Sequence, residues 1–308
     1  MERDIYLDYA AGAPLLPAAL AAYCEADVPA NPHALHRPAR RARRVLDDAR
    51  AEVARALGAQ SAEVVFTSGG TEADGLALHG LYHSRQAARG RPFVLVGATE
   101  HAAVRDNAAL LAARAGAQVI EIPVDAGGVV SLGDIGRELA EHADQTALIS
   151  LMAANNETGA LQPVDAVVEL AAEAGVPVHS DWVQAAGKLP LDFDASGLAA
   201  ATVSAHKVGG PVGTGALLVG RRVGIVPVQG GGGQERGLRS GTADGRGAAG
   251  FAAALRAADG PSGEDLEVML EPLDALVEEH PALTGLTPKW AHLPGLRCFA
   301  VAGASGEA

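Results

Sequence analysis

Few side chains in this sequence can do covalent chemistry, and one stands apart. Lys207 is one of three lysines, with Lys188 and Lys289, in a chain that carries 21 arginines. An amine can shed its proton and attack a carbonyl, which a guanidinium cannot. Lys207 lies in S-A-H-K-V-G-G-P-V-G-T-G, Ser204 to Gly215, between a serine–histidine pair and a glycine-rich turn. That setting suits an amine beside an anion pocket, as a Schiff-base lysine on a phosphorylated aldehyde cofactor requires. A solvated loop lysine is the bland alternative.

Other polar groups fall where strands are expected to end. Glu63–Thr67 reads as a strand, followed by Ser68–Gly69–Gly70–Thr71–Glu72 and a helix from about Ala73 to Tyr82. Free N–H groups and the helix dipole favour phosphate at such a turn, and Thr71 adds a hydroxyl beside Gly70; packing alone is the competing explanation. Pro92–Val96 reads as a strand, with Thr99–Glu100–His101 just beyond it. In open α/β sheets functional groups gather past the carboxyl ends of strands, so His101 is a better candidate than His79 or His83. Its imidazole can stack on an aromatic ring or shuttle a proton. Thr146–Met152 ends in N-N-E-T-G, where Asn155 and Asn156 can bond a phenolate or carboxylate, or serve turn chemistry. Val176–His179 delivers Ser180 to Gln184, in which Asp181 can pair with a protonated pyridine nitrogen or cap a helix. Ala200–Ser204 presents His206 and Lys207, and Gly215–Val219 follows as a strand.

Positioning these groups takes regular elements. Apolar periodicity predicts helices over Arg44–Leu57, Ala102–Ala115, Asp134–His142 and Val164–Ala174, with a strand at Gln118–Ile122. Alternating strands and helices imply an α/β fold, a mostly parallel central sheet with helices on both faces. Asn31–Arg44, with His33, His36 and five arginines, is either a solvated helix start or part of an active-site rim. Gln229–Arg239, with four consecutive glycines and Arg236 and Arg239, precedes Ser240–Gly241–Thr242. It either completes a phosphate site, in this or a neighbouring subunit, or forms a flexible surface loop. Ala243–Asp259 and Asp265–His280 read as helices and Leu296–Ala300 as a strand, with a boundary at Pro261–Gly263. We therefore expect a large domain over 1–258, a partial small α+β domain over 259–308, and a lead-in, 1–20, packed with the latter.

The bulk numbers restrict the function class. At 308 residues, 48% hydrophobic and 20% charged, the chain has the composition of a soluble globular enzyme. A net charge of −13 argues against a nucleic-acid partner. The N-terminus lacks a signal-peptide pattern, and no apolar run of about 18 residues suggests a membrane span. Cys24 and Cys298 form no metal spacing or disulfide framework, which points to a reducing cytoplasm. Each reads as a small buried hydrophobe.

Taken jointly, the motifs resemble those of cysteine desulfurases of the class V aminotransferase superfamily, in the NifS-like branch. The matching stretches are Y-L-D-Y-A-A at Tyr6–Ala11, T-S-G-G-T-E-A-D at Thr67–Asp74, T-E-H at Thr99–His101 and N-N-E-T-G at Asn155–Gly159. H-S-D-W-V-Q-A-A-G-K at His179–Lys188, the Ser204–Gly215 stretch and L-R-S-G-T at Leu238–Thr242 complete the set. The resemblance implies a fold type I pyridoxal-phosphate enzyme, normally a homodimer, with Lys207 as the Schiff-base lysine and His101 stacked on the ring. It further implies Asp181 on the ring nitrogen, Gln184 and Asn156 near the ring hydroxyl, and Gly70, Thr71, Ser204 and His206 at the phosphate, with Thr242 reaching the other subunit's site. The implied reaction takes sulfur from L-cysteine, leaving alanine and a persulfide for iron–sulfur or thio-cofactor assembly, with a sulfur-acceptor or scaffold protein as partner. Two departures stand out. Gly75 replaces the family's usual asparagine, and the family's nucleophilic cysteine and substrate-gripping arginine fall beyond Ala308. Full sulfur transfer is accordingly expected to need a longer chain or a partner's thiol. The alternatives are another class V enzyme, such as an aminotransferase or lyase, and a catalytically silent truncated paralogue.

Overall fold

The computed structural model describes residues 5–258 and 263–305. Seven strands form its centre: β1 Val64–Thr67, β2 Phe93–Gly97, β3 Gln118–Ile122, β4 Thr146–Ser150, β5 Val178–Asp181, β6 Ala200–Ser204 and β7 Gly215–Val219. They hydrogen-bond in the order β1-β7-β6-β5-β4-β2-β3. β2 to β6 pair in parallel, whereas β7 lies antiparallel between β6 and β1. The exception has a simple cause. The Ser204–Gly215 stretch joining β6 to β7 is too short for the helical crossover that a parallel pair requires.

Because helices cover both faces, most strands are largely apolar runs; β5, V-H-S-D, and the edge strand β3, Q-V-I-E-I, are the exceptions. Phe66, Leu95, Ile149, Val203 and Leu218 face one core, shared with helices α2 Arg37–Ala56, α5 Leu132–His142, α6 Val164–Glu173 and α8 Gly245–Arg256. Val65, Val94, Val96, Leu148 and Leu217 face the other, shared with α3 Gly70–Arg89 and α4 Ala102–Ala115. The basic segment belongs to α2, which begins before the expected Arg44. His36 caps it by accepting from Ala39 N at 3.2 Å through Nδ1, and Arg37, Arg40, Arg41, Arg43 and Arg44 are exposed.

Sequence periodicity did not reveal α1, Pro17–Glu25, which buries only Ala19 and packs on α8. The lead-in before it departs from expectation. Ala13 N donates to His206 O and Leu16 N to Gly209 O, each at 2.9 Å, so it lies along the Lys207 turn of the large unit. Gly209 makes room for it: at φ +78°, a Cβ there would stand 2.6 Å from Leu16 Cγ.

Beyond the large unit lie α9 Gly263–Glu279 and an antiparallel pair, β8 Leu283–Gly285 and β9 Phe299–Val301. Backbone bonds from Leu161 N to Ala291 O (3.0 Å) and Leu293 N to Gly159 O (2.8 Å) join this unit to the large one. α9 has no buried residue. Of the expected boundary, Pro261 lies outside the described residues. Neither cysteine is buried. Cys24 is exposed on the outer side of α1 and Cys298 is half-buried beside the short, exposed β9.

Candidate active site

A cavity of about 540 Å³ opens beyond the carboxyl ends of β4, β5 and β6, within the range of small-molecule sites. Gly70 and Thr71 line it from the start of α3, and His101 from the cap of α4. Asn156, Asp181, Gln184, Ser204, His206 and Lys207 close the remaining sides. Thr242, the other candidate, is exposed and outside the lining.

One end suits an anion. Ser204 Oγ and His206 Nδ1 are 2.9 Å apart, beside the free N–H groups at the start of α3. A Cβ on Gly70 would come within 2.9 Å of Val183 Cγ2, so glycine keeps backbone and strand end close. Glu72, given no role by the motif reading, accepts from Ser68 N at 2.6 Å and from Arg239 Nε at 2.7 Å. The glycine-rich loop is thereby tied to the anion turn. It is pinned again at Glu235, whose carboxylate accepts two Arg50 N–H groups, at 2.6 and 2.7 Å, and Phe66 N at 2.8 Å. Glu235 and Arg236 pay in backbone strain, with φ of 45° and 62°.

The opposite end is acidic and buried. Asp181 Oδ1 accepts from Val183 N at 2.8 Å. Burial raises its pKa, while the Val183 bond and the charges of His101 and Lys207 pull it back. Two further carboxyls, Asp74 and Glu100, escaped the motif reading because only the folded chain buries them. Burial holds both well above the usual carboxylate range, and Asp181 adds repulsion. Glu100 Oε1 accepts from Met152 N at 2.6 Å, while Glu100 Oε2 and Asp74 Oδ1 have no partner. His179 Nε2 stands 3.6 Å from Asp74 Oδ1. This is no ion pair: burial lowers the His179 pKa to about 3, and its ring bonds Ser150 Oγ (2.9 Å) and Thr202 Oγ1 (3.0 Å).

Between the two ends stands the amine. Lys207 Nζ donates to Ala10 O at 2.5 Å, and Gln184 Nε2 donates to the same oxygen at 2.8 Å. Burial lowers the Lys207 pKa, partly offset by Asp181, Asp8 and Glu157. His101 Nδ1 accepts from Ala103 N at 3.1 Å, which leaves the neutral ring's proton on Nε2. The two asparagines divide their work. Asn155 organises the turn, its Oδ1 accepting from Glu157 N and Thr158 N at 2.9 Å each, while Asn156 lines the cavity. Neither cysteine lines it, and burial with the nearby Glu157 pushes the Cys298 thiol pKa up.

An anion cradle, a buried carboxylate and an amine lining one cavity match a flat nitrogen heterocycle carrying a phosphate and an aldehyde. The glycine at the cradle, where a Cβ would meet Val183 Cγ2 at 2.9 Å, leaves room for the backbone to approach such a group. The description "Aminotransferase class-V" matches residues 5–261. The chain belongs to the class-V aminotransferase family. It is 46% identical over 255 residues to an IscS-like cysteine desulfurase of Mycobacterium tuberculosis, covering 82% of this chain and 65% of that one. With the cysteine desulfurase IscS of Dictyoglomus turgidum it shares 34% identity over 282 residues, 91% of this chain and 70% of the other. Among solved structures, a NifS-like protein superposes with a TM-score of 0.92 at 30% identity, over 99% of this chain and 84% of that one. A structure described as SspA in complex with cysteine gives 0.81 at 31% identity, over 92% and 79%. The chain spans 65% and 62% of the length of two curated relatives, both named as cysteine desulfurases.

Proposed function

We propose that this protein binds pyridoxal 5′-phosphate through Lys207 and uses it to act on the carbon–sulfur bond of L-cysteine. The observation that carries this reading is the convergence of an amine, an anion cradle and a buried carboxylate on one cavity. Support comes also from the cysteine desulfurase relatives and from the similar structure that holds cysteine. When bound, the cofactor supplies an electron sink for the carbon next to the substrate's amino group.

The chain's own residues then have distinct tasks. Gly70, Thr71, Ser204 and His206 hold the phosphate. Asp181, whose pKa burial raises and the Val183 N–H, His101 and Lys207 pull back, would face the ring nitrogen and hold a proton there. Asn156 and Gln184 address the ring oxygen. Burial lowers the proton affinity of Lys207, which would favour the neutral Nζ needed to hold the cofactor through its aldehyde, and Lys207 and His101 Nε2 would move protons at the substrate. The sulfur-accepting thiol is neither Cys24, which is remote, nor Cys298, whose raised pKa keeps it protonated near neutral pH. A further segment or a sulfur-acceptor protein would supply it. We also propose a homodimer, in which the exposed Thr242 reaches the other copy's phosphate, and a cytoplasmic place in iron–sulfur cluster assembly. The domain division at 258/259 belongs to the same reading.

The test is the visible absorption of purified protein with added pyridoxal phosphate, before and after L-cysteine, with alanine and sulfide measured alongside. A visible band that cysteine shifts supports the reading; no band refutes it. The absence of both cysteines from the cavity favours a second reading, turnover of another amino acid without a thiol step. Product from another amino acid, with none from cysteine, would select it.

A further inference from the structure

Lys188 is the chain's other lysine near the cavity, and the roles proposed above leave it unused. It lies four residues beyond Gln184 in the turn following β5, half-buried, with Nζ donating to Gln184 Oε1 at 2.9 Å. The other end of the same amide, Nε2, donates to Ala10 O at 2.8 Å, and that oxygen also accepts Lys207 Nζ at 2.5 Å.

An amide's two ends are nearly identical in shape but opposite in hydrogen-bonding sense. Either end could face the cavity unless the neighbours fix it; the Ala10 carbonyl, which only accepts, requires Nε2 at one end, and Lys188 meets the other. A charged lysine has only donors, so the atom facing it must be the oxygen. We propose that Lys188 is a positioning residue that fixes the Gln184 amide so that a donor, never an acceptor, faces the cavity. The class of group recognised there follows: an oxyanion or carbonyl oxygen, such as an ionised ring hydroxyl, and not an ammonium. Holding a cation there has a cost. Burial, with repulsion from Lys207, lowers the Lys188 pKa to about 8. A compact amine on a flexible stem reaches this single acceptor, whereas a guanidinium brings a broad fork and further donors needing partners. That accounts for a lysine at this point in an arginine-rich chain.

The consequence for the bound ring rests on the pyridoxal-phosphate reading; the contact itself does not. Two measurements keep them apart. In the first, Lys188→Met, Lys188→Arg and wild type are titrated with pyridoxal phosphate. The dissociation constant and the ratio of the visible to the near-ultraviolet band, which reports ionisation of the ring hydroxyl, are read for each. Lys188→Met is expected to weaken binding about tenfold or more, the scale of one charge-assisted hydrogen bond, and to deplete the visible band. Lys188→Arg, which keeps a charged donor, is expected to restore much of both. Equal behaviour of the two variants would overturn the proposal. In the second, melting temperatures of cofactor-free Lys188→Met, Gln184→Leu and the double variant are compared. A double variant that melts no lower than the worse single one supports the coupling; fully additive losses overturn it. If wild type takes up no pyridoxal phosphate, the cofactor reading fails, and the melting comparison alone decides the role of Lys188.

Discussion

The large unit and the C-terminal unit use polar side chains in opposite ways. In the first, carboxyls and an imidazole lie within or against the sheet with almost no exposure, and burial shifts their proton affinities: Asp74 is 1% exposed and His179 0%. In the second, α9 buries nothing and leaves Val268 62% and Met269 70% exposed, while Arg297 pairs with Glu267 and Asp274 at the surface. Arg297 Nη2 reaches Glu267 Oε2 at 2.6 Å, which holds that carboxyl well below its usual range, yet solvent screens the pair. Buried polar groups in the large unit thus set chemistry. Those of the C-terminal unit mainly hold a helix to a strand.

Substitutions can break or sharpen this contrast. The largest effect is expected from Phe251→Ala, fully buried on α8, which packs against α1 and α2; it should lower unfolding free energy by about 3–5 kcal/mol in denaturant titration. Val268→Ala on α9 should stay within about 0.5 kcal/mol. Arg50→Met should follow at about 3 kcal/mol, because it leaves the nearly inaccessible Glu235 carboxylate with an unpaired charge. It should also loosen the glycine-rich loop, read as faster proteolysis near Gln234. A loss near the surface-pair value would mean that Glu235 is hydrated.

The pH dependence carries a definite sign. Asp74 and Glu100 have folded-state pKa values above their unfolded ones, so in that window the folded protein binds more protons. Stability of the cofactor-free protein from these groups is complete at acid pH and is lost as pH rises from the usual carboxylate range through the raised values. Glu100→Gln keeps the bond to Met152 N and should flatten that slope, gaining about 1.4 kcal/mol at alkaline pH for each unit of raised pKa. An unchanged slope in urea melts across pH would contradict the burial argument. The smallest effect is expected from Arg297→Met, about 1 kcal/mol and shrinking with salt.

Much of this was legible in the sequence because the motifs bracket the strands. The bounds of α4, β3, β6 and β7 match the expected ones: β6 and β7 are buried throughout, α4 is closed by Gly116, and the edge strand β3 follows shortly after that glycine. The direction of β7 was hidden, because it depends on the length of the connection and not on the strand's own residues. α1 was missed because four of its nine residues are alanine, which carry little periodic contrast. β8 was missed because its three residues form a strand only against β9. The candidate cavity residues other than Thr242 come together, whereas Asp74, Glu100 and Lys188 gain meaning only from burial and neighbours. The reading of Cys24 and Cys298 as buried failed because residue type does not specify the solvent side of a short element.

The central claim is that Lys207 is the amine that captures an aldehyde cofactor. With only three lysines in the chain, borohydride reduction after incubation with pyridoxal phosphate, followed by peptide mass spectrometry, tests it directly. The account predicts a single pyridoxyl phosphate adduct on Lys207, absent from Lys207→Met, with Lys188 and Lys289 unmodified. An adduct on Lys188, or none on Lys207 in folded protein, would contradict it.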